Sequence, residues 1–438
     1  MSGKFLYQKA AVMPHPLRGM AIAVATLLSL MSSPLSAQVP AVKGLQAQGV
    51  FTLKTAFDAA WQRQPEAQSA LQRQQAASAR REMAQSWSIE PVALDVSGTT
   101  DQLHRNQGSR EYAVGVTVPL WLPGERSRTA ELADAEGRSL VGKIHAAQLR
   151  TSAGVREAYW AWERARVELS LAQDRLRNAQ KLATDVARRV KAGDMARADQ
   201  HQADGQVAAA EVVLAESESQ LNHASLQLKS WIGVAPVVTT GSDSLAVEVM
   251  PPIPPDLSVL ERSHPLIAEG LAQAEVARKG FELARIQTRA NPELTLGTSR
   301  ERGLFSDSWQ QKVSVGVRIP FGSDSRQQAK LASAHAEVLE SESQARLLHE
   351  RVLTQLEATR QSVASAQTQL SAANRRAQLA RETRGFFDKS FVAGETDLPT
   401  RLRIELEAVE AEQQAARARI QHAASVSALR QTLGLLPE

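Results

Sequence analysis

Two stretches of the chain alternate strictly between apolar and small or polar residues. In Tyr112 to Val118, the side chains of Tyr112, Val114, Val116 and Val118 alternate with Ala113, Gly115 and Thr117. In Lys312 to Ile319, Val313, Val315, Val317 and Ile319 alternate with Lys312, Ser314, Gly316 and Arg318. A period of two predicts strands with one apolar face. After each strand the period changes to seven. Val155, Trp162, Leu169, Leu176, Ala183 and Val190 keep heptad spacing, and Ala158, Ala165, Ala172, Ala179 and Val186 follow three residues later. These are the a and d positions of one long helix, with alanine at most d positions so that helix axes can approach closely. From Gly124 to Val190 there is no proline, and the only later glycines are Gly137, Gly142 and Gly154. Such a helix would span roughly 100 Å.

The helix then turns back. Val207, Leu214, Leu221 and Leu228, with Ala210, Ser217, Ala224 and Trp231 three later, predict a returning helix after a turn at Gly193. The second half of the chain repeats the plan. Leu356, Val363, Leu370 and Ala377 are its a residues and Ala366, Ala373 and Ala380 its d residues; Arg384 interrupts the seam before Phe387 and Phe391 resume it. The turn falls at Gly394, and the returning seam of Ala408, Ala415 and Leu429 is broken by His422. The correspondence has a fixed period: Val114 to Leu120 recurs as Val315 to Phe321, and Trp231 to Gly233 as Thr432 to Gly434, both 201 residues on. Aligning Pro91 to Gly98 with Pro292 to Ser299 gives the same offset and predicts a further strand in each copy; Pro65 and Pro265 are 200 apart, which places a gained or lost residue before Pro91. The chain is therefore a duplication of one unit, with repeats over 51–235 and 257–438. Strands are expected at about 91–98, 112–119, 292–299 and 312–320, and hairpin tips at about 191–197 and 392–398. Pro119 and Pro320 mark the strand-to-helix junctions, since proline cannot donate to a ladder.

Residues 1–37 read as a signal peptide: Lys4, Lys9 and Arg18 precede the apolar run Met20 to Met31, and Ala37 closes a small-residue stretch. Residues 38–50 form an N-terminal extension, and 236–256, with Pro251, Pro252, Pro254 and Pro255, a proline-rich connector. The signal holds three of the 51 basic residues and no acidic one, so the remainder is nearly neutral, 48 basic against 47 acidic. That balance gives no reason to invoke nucleic acid. Cysteine is absent, which excludes disulfides and thiolate metal sites. Beyond residue 37 no apolar run approaches the ~20 residues of a spanning helix, so any membrane crossing must use strands.

The alternating strands suit a transmembrane barrel, apolar toward lipid and polar toward a lumen; a half-buried hairpin of a soluble domain has the same pattern. Polar loops at Asp101 to Ser109 and Arg300 to Ser308, and Trp309, Trp121 and Tyr112 near strand ends, favour the barrel. Four strands cannot close a barrel, and an open edge cannot face lipid, so the chain would have to oligomerise.

The duplicated plan, Asn291-Pro292-Glu293-Leu294 opening a strand, Val315 to Pro320 closing one, and Ala393 to Leu398 at a tip resemble the TolC-like outer-membrane efflux proteins, most closely their heavy-metal branch. The resemblance implies a mainly α fold: coiled-coil hairpins forming a periplasmic α-barrel, and four strands per chain contributing to a trimeric, 12-stranded outer-membrane β-barrel. It implies a homotrimer in the outer membrane of a Gram-negative bacterium, docked to a periplasmic adaptor and an inner-membrane RND pump, exporting divalent metal cations without cofactor or catalysis. By the same likeness the tips gate the channel and contact the adaptor, through Gly193, Asp194, Arg197, Asp199, Gly394, Glu395, Asp397, Thr400 and Arg403. Many relatives carry an acidic pair where this chain has Thr400 and Arg403. Other readings are a duct for drugs or for type I secretion, and, more distantly, a secreted coiled-coil scaffold or adhesin. The sequence holds no phosphate loop, nucleophile elbow or HExxH, and no histidine lies three or four residues from another.

Overall fold

The computed structural model describes residues 51–104, 106–236, 247–252, 260, 263–322 and 324–438. The signal peptide at 1–37, the extension at 38–50 and residues 237–246 and 253–256 of the connector lie outside the described residues. The first repeat comprises α1 (Leu53–Arg63), α2 (Pro65–Gln85), β1 (Ala93–Thr100), β2 (Arg110–Pro119), α3 (Glu125–Ala192) and α4 (Arg197–Ile232). The second comprises α5 (Pro265–Ile286), β3 (Glu293–Arg302), β4 (Gln310–Arg318), α6 (Asp324–Val392) and α7 (Leu398–Thr432). With 68 and 69 residues, α3 and α6 are each roughly 100 Å long.

Alanine seams hold each hairpin together. Val155, Ala158, Trp162, Ala165, Ala172 and Val186 of α3 are buried, with Ala203, Ala210, Ala224 and Leu228 of α4. In the second repeat Leu356, Val363, Ala366, Ala373 and Ala377 of α6 are buried, with Ala408, Ala411 and Ala415 of α7. Toward the tip the stripe broadens. Leu169, Leu176 and Ala179 are half-buried, whereas Leu182, off the heptad seam, is buried because both hairpins meet there. Arg384, which breaks the second seam, is half-buried and faces Glu405 at 3.7 Å and Glu412 at 3.3 Å on α7.

Glycines with left-handed φ terminate these helices at both ends of each hairpin: Gly193 and Gly394 at the tips, Gly233 and Gly434 at the base. The tips close by the same pair of bonds. Gly193 N–H donates to the Val190 carbonyl and Asp194 N–H to that of Arg189; Gly394 and Glu395 donate in the same way to Phe391 and Ser390. This is the Schellman arrangement, which satisfies carbonyls left without helical partners.

The four strands form one antiparallel sheet in chain order, β1-β2-β3-β4. Its register corrects the internal alignment. Ala93 pairs with Thr117 in the first hairpin and Glu293 with Arg318 in the second. Val114 and Val315 occupy the same face, so β2 and β4 keep the 201 spacing. Leu94 and Val96 share that face with Leu294 and Leu296, however, so β1 and β3 are 200 apart, as are Pro65 and Pro265. Pro91 therefore corresponds to Asn291, and the extra residue lies inside the second strand hairpin rather than before Pro91. Matching the two prolines had put the pleat out of phase by one residue, which inverts every side chain.

Candidate functional site

One face of the sheet is largely apolar. Across the strands run Leu94, Val116, Leu296 and Val315, then Val96, Val114, Thr298 and Val313. At the two outer strands these side chains are uncovered by the described residues: Leu94 is 69% exposed, Val96 70%, Val313 80% and Val315 69%. The opposite face carries Asp95, Gly115, Gly297 and Ser314 in one row and Ala93, Thr117, Thr295 and Gly316 in the next. From Tyr112 to Val118 the apolar band is about 20 Å along the strand, close to the ~25 Å outward band of a membrane barrel. At its loop end Tyr112 stacks on Trp309 with ring centroids 5.9 Å apart, and the Arg300 and Arg302 guanidiniums lie 5.3 and 5.0 Å from the Trp309 ring. Amphipathic rings flanked by cations are the composition of a membrane interface. At the other end the Trp121 indole donates to the Ser86 carbonyl at 3.2 Å.

A buried carboxylate fixes the sheet on the helices. Glu125, the first residue of α3, has no exposed surface. It accepts the Leu122 N–H at 3.0 Å, the Gln287 amide at 2.7 Å and the Asn291 amide at 2.6 Å. Asn291 also donates to the Leu120 carbonyl at 3.1 Å, and Leu120 N–H donates to the Pro292 carbonyl at 2.8 Å. The two repeats are thus tied where strands become helices. Pro119 is the last residue of β2, whereas β4 ends at Arg318, two residues before Pro320. In the sequence Glu125 is only an acidic residue in the first turn of a helix.

Both tips pack into one core of Leu182, Val186, Ala203, Phe391, Leu398 and Leu402. Phe391, 2% exposed, lies between two guanidiniums, Arg189 from the first hairpin and Arg401 from the second, each 4.7 Å from the ring centroid. Arg189 also donates to the Phe391 carbonyl at 3.2 Å, and Arg401 to Asp388 at 2.9 Å. Just above this core is a cleft of about 430 Å³ between the hairpins, lined among others by Arg175, Lys181, Asp185, Arg384, Asp388 and Glu405. Burial pushes the Glu405 carboxyl above its ordinary value; Asp388 and Glu412 add to the rise, while Arg384 and Arg401 oppose it.

The expected tip residues separate into two groups. Asp194, Arg197, Glu395 and Asp397 are exposed around the two glycines. Asp199 is occupied in the turn, its carboxylate accepting the Ala196 N–H at 3.0 Å where α4 begins. Thr400 is half-buried in the first turn of α7, and Arg403 is exposed and paired with Glu407 along the same helix at 2.8 Å. The Phe391 sandwich was hidden from sequence reading because it joins residues of two hairpins.

At the opposite end, Glu248 of the connector is buried between Arg156 of α3, 2.9 Å away, and Arg430 of α7, 3.3 Å away. Ser427 donates to the same carboxylate, and Arg156 reaches Gln431 at 2.6 Å and the Leu435 carbonyl at 3.0 Å. Burial lowers the Arg156 pKa from its usual value, against the opposing pull of Glu248. This network clips the connector and the chain's last residues to the helix bases.

The doubled strand pairs, paired long hairpins and shared tip define the TolC-like channel fold. Residues 56–234 match the family model of outer membrane efflux proteins. It is 28% identical to the cobalt-zinc-cadmium resistance protein CzcC of Cupriavidus metallidurans over 236 residues, a match spanning 52% of this chain and 54% of CzcC. The chain thus aligns with about half the length of that relative. Among solved structures, CusC superimposes with a TM-score of 0.72 at 20% identity, over 87% of this chain and 92% of CusC. The open state of the Neisseria gonorrhoeae outer membrane channel MtrE gives 0.70 at 18% identity, over 87% and 89%. The Vibrio cholerae outer membrane protein VceC gives 0.69 at 17%, over 88% and 97%.

Proposed function

We propose that this chain is the outer-membrane component of a tripartite RND-type efflux system, a passive trimeric duct for divalent heavy-metal cations. The observation that carries the reading is the sheet: a ~20 Å apolar band, most of it uncovered among the described residues, set on helices of roughly 100 Å. In water so large an exposed apolar surface is unfavourable; in lipid it is the required one. The polar face then lines a pore, and α3, α4, α6 and α7 extend the wall into the periplasm. Three copies supply twelve strands. The signal at 1–37 directs export, and the two repeats supply six similar staves.

The tips face a periplasmic adaptor, which connects the duct to an inner-membrane pump. Gly193 and Gly394 shape them, and Asp194, Arg197, Glu395 and Asp397 offer their exposed charges to that partner. Asp199 and Arg403, engaged within their own helices, hold local structure, and Thr400 packs beside them. The metal cargo is supported by the likeness to CzcC, whose name records cobalt, zinc and cadmium resistance. Deleting the gene should sensitise cells to zinc, cobalt and cadmium salts more than to hydrophobic dyes and detergents. Sensitivity to dyes with unchanged metal tolerance would overturn the cargo assignment.

A further inference from the structure

His264 is a buried titratable residue far from the tips, at the base of the second hairpin. It stands at the N-cap of α5, where its carbonyl accepts the Ala268 N–H at 2.9 Å, and it is 2% exposed. Its ring meets the end of α7. The imidazole hydrogen-bonds to the Thr432 carbonyl, and a Cβ on Gly434 would lie 3.0 Å from the ring's Cδ2 and 2.7 Å from Pro265 Cδ. Gly434 has a φ of 80° and closes a turn in which the N–H groups of Leu433, Gly434 and Leu435 donate to the carbonyls of Leu429, Gln431 and Arg430. Leu260, whose carbonyl accepts the His264 N–H, and Leu433 share one apolar cluster.

The neutral ring suits this place and the charged ring does not. The Thr432 carbonyl fixes a proton on Nε2, and Nδ1 has no partner among the described residues. A second proton there would be a buried donor without an acceptor. It would also set a positive charge at the positive end of the α5 dipole. Among the described residues, the nearest charges along the two helices are engaged elsewhere: Glu269 of α5 with Arg150 at 2.7 Å, and Arg430 of α7 with Glu248 at 3.3 Å and Glu438 at 2.8 Å. Burial accordingly lowers the His264 pKa from its usual 6.5, against the smaller pull of the Thr432 carbonyl.

The duplication shows that the joint can be built without a titratable group. Two hundred residues earlier the N-cap ahead of Pro65 is Gln64, and the matching turn glycine is Gly233. A Cβ on that glycine would fall on the Arg63 guanidinium, which keeps its charge throughout the accessible pH range. Of the two joints, the second alone carries a group that titrates near neutrality.

We propose that His264 is a pH-sensitive latch: the neutral ring holds the last turn of α7 on the start of α5, and protonation releases that turn so that the imidazolium reaches water. Acid then softens the base of the second hairpin and leaves that of the first unchanged. The latch uses contacts within one chain and stands apart from the cargo and partners proposed above. Because the folded-state pKa is depressed, the latch is at full strength above about pH 6.5 and weakens as pH falls below that value.

Hydrogen exchange of the full-length protein in detergent, corrected for the intrinsic pH dependence of exchange, reads the latch at its own amides. Leu433, Gly434 and Leu435 should lose up to about tenfold in protection between pH 7.5 and 5.5. Gly233, whose N–H donates to the Lys229 carbonyl at 2.7 Å, should keep its protection. His264→Gln, which installs the residue of the first repeat, should abolish the pH dependence at 433–435. Equal protection at both pH values in the wild-type protein would overturn the latch without recourse to any variant. The same loss in His264→Gln, or a parallel loss at Gly233, would also overturn it, because acid would then be loosening the helix bases through other groups.

Discussion

Glu405 lies on the wall of the cleft above the tip core, and its position sets a pH dependence. Its carboxyl is half-buried, with Asp388 and Glu412 on one side and Arg384 and Arg401 on the other. Burial dominates and raises its pKa above the ordinary 4.5. A carboxyl with a raised folded-state value binds its proton more tightly in the folded protein than in the unfolded chain. Its contribution to stability is therefore full below that ordinary value and lost as pH rises through the raised one. Glu405→Gln should leave the melting temperature unchanged at about pH 4 and raise it at about pH 7.5. A difference that stays flat across that range would refute the assignment. None of this was legible in the sequence, where Glu405 is one of many helix glutamates; nor was Glu125, whose partners Gln287 and Asn291 come from the other repeat. What could be read at single residues were the turn glycines, because a left-handed φ narrows the choice of residue.

At the scale of elements, the long helices are set by their seams, and one glycine inside α3 is set by a neighbour. A Cβ on Gly154 would lie 2.3 Å from the Trp231 ring of α4, whereas a Cβ on Gly205 of α4 would meet nothing within 4 Å. Helix propensity alone predicts that alanine stabilises both sites. Packing reverses the sign at one. Gly154→Ala should destabilise the first hairpin by about 1–3 kcal/mol, and Gly205→Ala should stabilise it by about 0.5–1 kcal/mol. Thermal melts of the two variants would show shifts of opposite direction; a stabilised Gly154→Ala would mean that Trp231 is not held against α3. The heptads and the alternating strands made these elements readable in advance, since periodicity needs no partner to be seen. The phase between β1 and β3 could not be read so directly. It is fixed by which residues share a face, and paired prolines gave a misleading match.

At the scale of the molecule, the chain carries half-finished surfaces. Among the described residues, much of an apolar face lacks cover and the outer edges of β1 and β4 lack strand partners. The four-stranded antiparallel sheet was foreseen from the alternating strands and their duplication. The tip core and the Arg156–Glu248–Arg430 clip were not, because they join residues far apart in the chain whose partners no local pattern specifies. Native mass spectrometry of the protein extracted in detergent from the outer-membrane fraction tests the account most directly. It should give three chains per particle; a single-chain mass, with the protein recovered in the soluble periplasmic fraction, would contradict it.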